Sequence, residues 1–167
     1  MRFAPFLIIF LLGCGYKPTA KYTKDILGNK IYAKVNTSLR DPQNSVLIKD
    51  ALNEAIVDKF HSKISSKNEA SSILNVDLNL VKFIPIAYDK NGYVISYKTL
   101  VKLKTQYSNK DGKTQTFITE GDYDFNIQTL SVISDSKRFE AIKEASQKAI
   151  DAFISRVSVR GVLNDSK

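Results

Sequence analysis

Thiol and imidazole chemistry in this chain can come only from Cys14 and His61, its single cysteine and single histidine. His61 stands at the polar end of a helical pattern, so no Ser-His-Asp arrangement can be assembled around it. No glycine-rich phosphate loop is present either. Asp122 and Asp124 are two apart and share a face on a strand, as a carboxylate pair for acid–base work or a metal would. No histidine or cysteine accompanies them. Neither an enzyme, nor a metal site, nor a bound cofactor is expected.

Charge is the chemistry that remains. The chain carries 25 Lys and Arg against 17 Asp and Glu, a formal net charge of +8. Its cations are mostly lysine, whereas phosphate recognition by nucleic-acid proteins favours the planar arginine fork. No nucleic-acid partner is expected. Lys90 stands in the turn sequence Asp89-Lys90-Asn91-Gly92, and Lys110 and Lys113 flank Asp111-Gly112. Consecutive hairpin turns lie at opposite ends of a meander, so these lysines form two separate basic tips.

The N-terminus decides the compartment. Arg2 precedes an apolar run from Phe3 to Leu12, and Gly13 places a small residue before Cys14. The run is too short to cross a bilayer, which needs about 20 apolar residues. A basic start, an apolar core of this length and a small residue at the cut form a secretory signal. Its end, Leu11-Leu12-Gly13-Cys14, resembles the lipobox of bacterial lipoproteins. The resemblance implies removal of residues 1–13 and covalent lipid on Cys14, at both the thiol and the new amine. Two or more acyl chains anchor a protein stably. The remaining 154 residues (167 − 13) suit one domain. With no second cysteine, its core must supply the stability.

The elements that would position the charges follow from periodicity. Residues 14–28 are expected as a lipidated tether, 29–161 as a single domain and 162–167 as a loose tail. Lys30 to Val35 alternates as a strand, with Ile31, Ala33 and Val35 on one face. After a polar loop, Ser45 is a candidate N-cap for a helix from Val46 to about Lys63, striped by Leu47, Ile48, Ala51, Leu52, Ala55, Ile56 and Phe60. Ser62 to Ser72 reads as a polar connector. Leu74, Val76, Leu78 and Leu80 alternate with polar residues as a half-buried strand. Two further strands follow, Tyr93 to Tyr107 and Lys113 to about Ile127. Ser134 or Asp135 caps a last helix striped by Phe139, Ile142, Ser146, Ala149, Phe153 and Val157, with Gly161 as its stop. The expected fold is α+β: a four-stranded mixed sheet in the order β-α-β-β-β-α, with two helices on one face. The first strand is placed parallel beside the second.

That layout leaves one sheet face bare. A three-residue loop with Gly112 in the left-handed position sets Asn109 opposite Lys113. The inner face then matches Leu103 with Thr119, Thr105 with Phe117 and Tyr97 with Phe125. On the outer face Lys102 meets Glu120 and Lys98 meets Asp124, a self-paired surface. By parity Val81, Phe83, Leu100 and Ile118 also point outward, and Phe83 and Leu100 could lie side by side.

The order of elements, together with Leu11-Leu12-Gly13-Cys14-Gly15-Tyr16, resembles the LPS-assembly lipoprotein family LptE over nearly the whole mature chain. Gly15 after the cysteine resembles outer-membrane-sorted lipoproteins. The resemblance implies a non-enzymatic lipoprotein that plugs the outer-membrane β-barrel LptD, assists its assembly and binds lipopolysaccharide through basic residues of the sheet and loops. By position those are Lys90, Lys110 and Lys113, then Lys98 and Lys102. Polar barrel lumens suit a charged, water-tolerant face. Two other readings stay open. A free periplasm-facing lipid-binding lipoprotein would need an enclosed apolar cavity, and the inner residues look large enough to fill one. An inhibitor of a cell-wall enzyme, or such an enzyme, would need a convergent polar cleft.

Overall fold

The computed structural model describes residues 26–36, 42–109 and 112–165, of which 42 and 160–165 as backbone. Cys14, the signal-like segment, most of the expected tether and Lys110 lie outside the described residues. The strands are β1 (Lys30–Asn36), β2 (Lys63–Ile64), β3 (Ser72–Tyr88), β4 (Val94–Asn109) and β5 (Thr114–Asn126). The helices are α1 (Pro42–Asp58) and α2 (Asp135–Asp165). One sheet runs β2-β1-β3-β4-β5. Strand β1 is parallel to both β2 and β3, and the meander β3-β4-β5 is antiparallel.

The α+β class, the mixed sheet and the parallel β1–β3 pairing match the sequence reading. The sheet has five strands rather than four. Strand β2 lies inside the segment read as a connector, because two residues carry no periodicity. Its backbone makes it a strand: Lys63 N donates to Asn29 O at 2.8 Å and Ser65 N to Ile31 O at 3.0 Å.

Helix α1 buries Ile48, Ala51, Leu52, Ala55 and Ile56, an i, i+3, i+4 stripe. It begins at Pro42, ahead of Ser45, since proline has no N–H to leave unpaired in a first turn. At α2 the cap is Ser134, whose hydroxyl accepts from Lys137 N at 3.3 Å. Gly161 does not stop this helix, which continues to Asp165; one glycine costs roughly 1 kcal/mol inside a helix and need not end it. The end of the expected tether also belongs to the domain, for Leu27 is wholly buried in the core.

Both helices pack on one sheet face around Ile31, Leu74, Val76, Val101, Leu103 and Phe117, with Phe60 and Phe153 joining them. The approach is closest at Gly121. A Cβ there would lie 2.1 Å from the Ala145 carbonyl oxygen and 2.4 Å from Ala149 N. Glycine on β5 and alanines on α2 let the two backbones touch.

The β4–β5 register is the one the turn chemistry requires. Asn109 N donates to Lys113 O at 3.1 Å, and Gly112 has φ 76°. Leu103 faces Thr119, Thr105 faces Phe117 and Tyr97 faces Phe125. Strand β3 departs from strict alternation. Leu78 faces Leu103 and Leu80 faces Lys102, so Asn79 is an extra, bulged residue. The bulge exchanges the faces beyond it. Val81 and Phe83, expected outside, pack against the core. Leu80, expected inside, stands on the outer face beside Lys102.

Candidate functional site

The open face is built from alternate residues of four strands. On β4 these are Lys98, Leu100, Lys102 and Lys104, and on β5 Ile118, Glu120, Asp122 and Asp124. Beyond the bulge β3 contributes Leu80, Lys82 and Ile84, opposite Lys102, Leu100 and Lys98. Strand β1 adds Lys34, opposite Asn75.

Its acids are largely occupied. Lys102 Nζ lies 2.6 Å from Glu120, and Lys98 Nζ lies 3.5 Å from Asp122 and 3.7 Å from Asp124. The carboxylates that could have formed a reactive pair are therefore counter-ions of one lysine. Such half-exposed pairs contribute about 0–1 kcal/mol each. His61 is exposed just past α1, in a left-handed conformation with φ 50°, on a different part of the molecule from these acids.

Three exposed lysines of this face, Lys34, Lys82 and Lys104, have no ion pair among the described residues. Between them lie Leu80 and Leu100, half-buried, with Ile84 40 % and Ile118 50 % exposed. The face thus alternates free cations with apolar side chains. Sequence reasoning missed Lys82 because its parity follows the bulge at Asn79. Lys34 and Lys104 were legible as outward residues of their strands, but they have no turn to mark them out.

On the covered side, a recess of about 250 Å³ opens between the starts of the two helices, lined by Gln43, Asn44, Val81, Phe83, Asp135, Arg138 and Phe139. The Arg138 guanidinium lies over the Phe83 ring, 5.4 Å from its centre. That volume is below the usual range of small-molecule sites, about 300–1,000 Å³. In the first turns of α2, Glu140 accepts from Tyr123 of β5 and from Lys137, at 3.2 and 2.8 Å. Lys137 is the main cause holding the Glu140 carboxyl below the ordinary carboxylate range. No helix among the described residues is long and apolar enough to cross a membrane.

The family model for lipopolysaccharide assembly, LptE, matches residues 32–157, from the first strand through most of the last helix. The chain belongs to the LptE family. Solved structures with this fold include rare lipoprotein B from Shewanella oneidensis, at 15 % identity and TM-score 0.53, covering 83 % of this chain and 100 % of that one. A putative lipoprotein from Caulobacter crescentus has 10 % identity and TM-score 0.56 over 90 % and 98 % of the two chains. Lipoprotein B from Nitrosomonas europaea has 12 % identity and TM-score 0.51 over 78 % and 82 %. No curated protein matches the chain.

Within this LptE-family fold the sequence-derived candidates separate. Lys90 is exposed at the β3–β4 turn, which is closed by Asp89, whose carboxylate accepts from Asn91 N and Tyr93 N at 2.9 and 2.8 Å. Lys113 is exposed at the β4–β5 turn, at the opposite end of β4. Lys98 and Lys102 lie between them on the open face, each held by acids. Lys110 lies outside the described residues.

Proposed function

We propose that this LptE-family chain is a non-enzymatic outer-membrane lipoprotein, anchored through acylated Cys14, that plugs the LPS-inserting barrel LptD and assists its assembly. It binds lipopolysaccharide on the open face of its sheet. The observation that carries the binding reading is the composition of that face. Lys34, Lys82 and Lys104, without an ion pair among the described residues, share that face with Leu80, Ile84, Leu100 and Ile118. Cations suit phosphates and the apolar residues suit acyl chains. Lys90 extends the cationic set to the hairpin tip. Lys98 and Lys102 take part only by exchanging a carboxylate partner for a phosphate. A charged, water-tolerant face is also what a polar barrel lumen accommodates.

Two measurements test this. Lys82→Glu with Lys90→Glu and Lys104→Glu weakens lipopolysaccharide binding by more than about tenfold, since one charge-assisted hydrogen bond is worth roughly 1.5–3 kcal/mol. Circular dichroism of the variant stays that of the parent. Unchanged affinity in the folded variant removes the open face as the binding site. For the partner, a C-terminally tagged chain extracted in mild detergent brings down a stoichiometric large β-barrel protein, and a Cys14→Ala control brings down less. A lone lipoprotein even after crosslinking favours a free periplasm-facing lipid binder instead.

A further inference from the structure

The chain joins its domain through a clamp. Three successive carbonyls, those of Ile26, Leu27 and Gly28, accept from the Tyr107 hydroxyl at 2.8 Å, Ser72 Oγ at 2.5 Å and Ser62 Oγ at 2.8 Å. The Leu27 side chain is wholly buried. Gly28 has φ 77°, and a Cβ there would meet the Ser71 Cβ at 2.4 Å, so no other residue fits without strain. The position at which the N-terminal segment leaves the fold is therefore set.

That position limits how an anchored domain can face its membrane. Twelve Cα steps separate Cys14 from Ile26, and they reach at most about 43 Å. Strand β4 has 16 residues, about 53 Å of sheet. The Lys90 tip cannot rest end-on against the leaflet that holds the anchor, because the clamped end would then stand beyond the tether's reach. The clamped end can.

The register lines cations along that end. Lys63 faces Lys30, Ile31 faces Ser72, Ser72 faces Asn109, and Asn109 bonds to Lys113 across the turn. The row spans four strand spacings, roughly 19 Å. Lys63, Lys67 and Lys113 are exposed with no ion pair among the described residues, and Ile64, next to Lys63 on β2, is 49 % exposed. Lys30 is held by Glu69 at 3.2 Å. Asp58, at the end of α1, is the other described acid nearby in the chain.

We propose that this end row is a membrane-facing surface, with Lys63, Lys67 and Lys113 against the anionic headgroups of the leaflet holding the anchor and Ile64 at the boundary. The proposal rests on acylation of Cys14 and applies to the anchored domain outside the barrel lumen. The tether keeps the row within reach of a surface whose field falls off over about 8–10 Å, and a second weak contact on a tethered domain is intramolecular.

The test uses the lipidated chain in vesicles of phosphatidylcholine, with or without phosphatidylglycerol. Acylation blocks Cys14, so Ile64→Cys or Tyr88→Cys supplies one reactive thiol for an environment-sensitive fluorophore. The emission at position 64 shifts to the blue in anionic vesicles, less in neutral ones, and the shift is lost with Lys63→Glu, Lys67→Glu and Lys113→Glu together. The label at 88 does not respond. A label at 64 indifferent to phosphatidylglycerol overturns the proposal, as does an equal response at 88. A shift at 64 that appears only when the barrel protein is added also overturns it, in favour of a protein partner. If Cys14 itself takes the fluorophore and the chain fails to float with vesicles, the anchor reading falls, and this proposal with it.

Discussion

The two faces of the sheet are built from the same strands, yet they obey different rules. On the covered face, Leu103 is 1 % exposed, Val101 is wholly buried, and α2 touches the β5 backbone at Gly121. Packing there is close enough that one added carbon has nowhere to go. On the open face, lysines stand beside isoleucines that are 40 % and 50 % exposed, and carboxylates share their cations across strands. Water supplies most of what those groups need, so side chains there are free to meet a ligand. The covered face holds the domain together, and the open face is where substitutions change surface charge without unfolding the domain.

The comparison can be broken first at its centre. Leu103→Asp unfolds the domain, because a buried unpaired charge is far more costly than a small domain's net stability. A thermal melt equal to that of the parent would mean Leu103 does not face the core. Next in size, Gly121→Ala destabilises by about 3 kcal/mol or more, the upper end of overpacking costs, as measured by urea unfolding. A loss below roughly 1 kcal/mol, the lower end of that scale, would show that the helix can lift from β5. Deletion of Asn79 has a much smaller effect. Without the bulged residue Leu78, Val81 and Phe83 still alternate inward, and the melting temperature stays close to that of the parent. A collapsed fold would show that the local twist of the bulge is itself required. Smallest is the open face. A double-mutant cycle of Lys102→Ala and Glu120→Ala yields a coupling of about 0.2–1 kcal/mol, and a coupling several times larger would make the ion pairs structural.

Much of this was legible along the chain. Most of both helix stripes, the strand meander and the Lys102–Glu120 pairing follow from periodicity and from one turn, since Gly112 in the left-handed position sets the register of every pair behind it; Phe139, placed in the last stripe, is 37 % exposed, and Phe60 lies past the end of α1. Three things were not. Strand β2 is too short to show a period. Gly161 looks like a stop, yet α2 runs through it. The Asn79 bulge carries no composition mark of its own, and it alone decides that Phe83 turns inward and Lys82 outward. For the same reason the turn lysines drew attention ahead of Lys34, Lys82 and Lys104, whose lack of partners appears only when neighbouring strands are brought beside them.

The sequence by itself determined the α+β class, the order of the longer elements, the β4–β5 register and the resemblance to the LptE family, because each rests on local period, turn chemistry or the pattern around Cys14. The tertiary structure decided which lysines lack an ion pair among the described residues, which end of the sheet holds Ile26 to Gly28, and where helix and sheet backbones touch. Those depend on partners far apart in the chain, such as Tyr107 with Ile26 and Gly121 with Ala145, and no local pattern encodes a contact that forms only when distant strands are brought together.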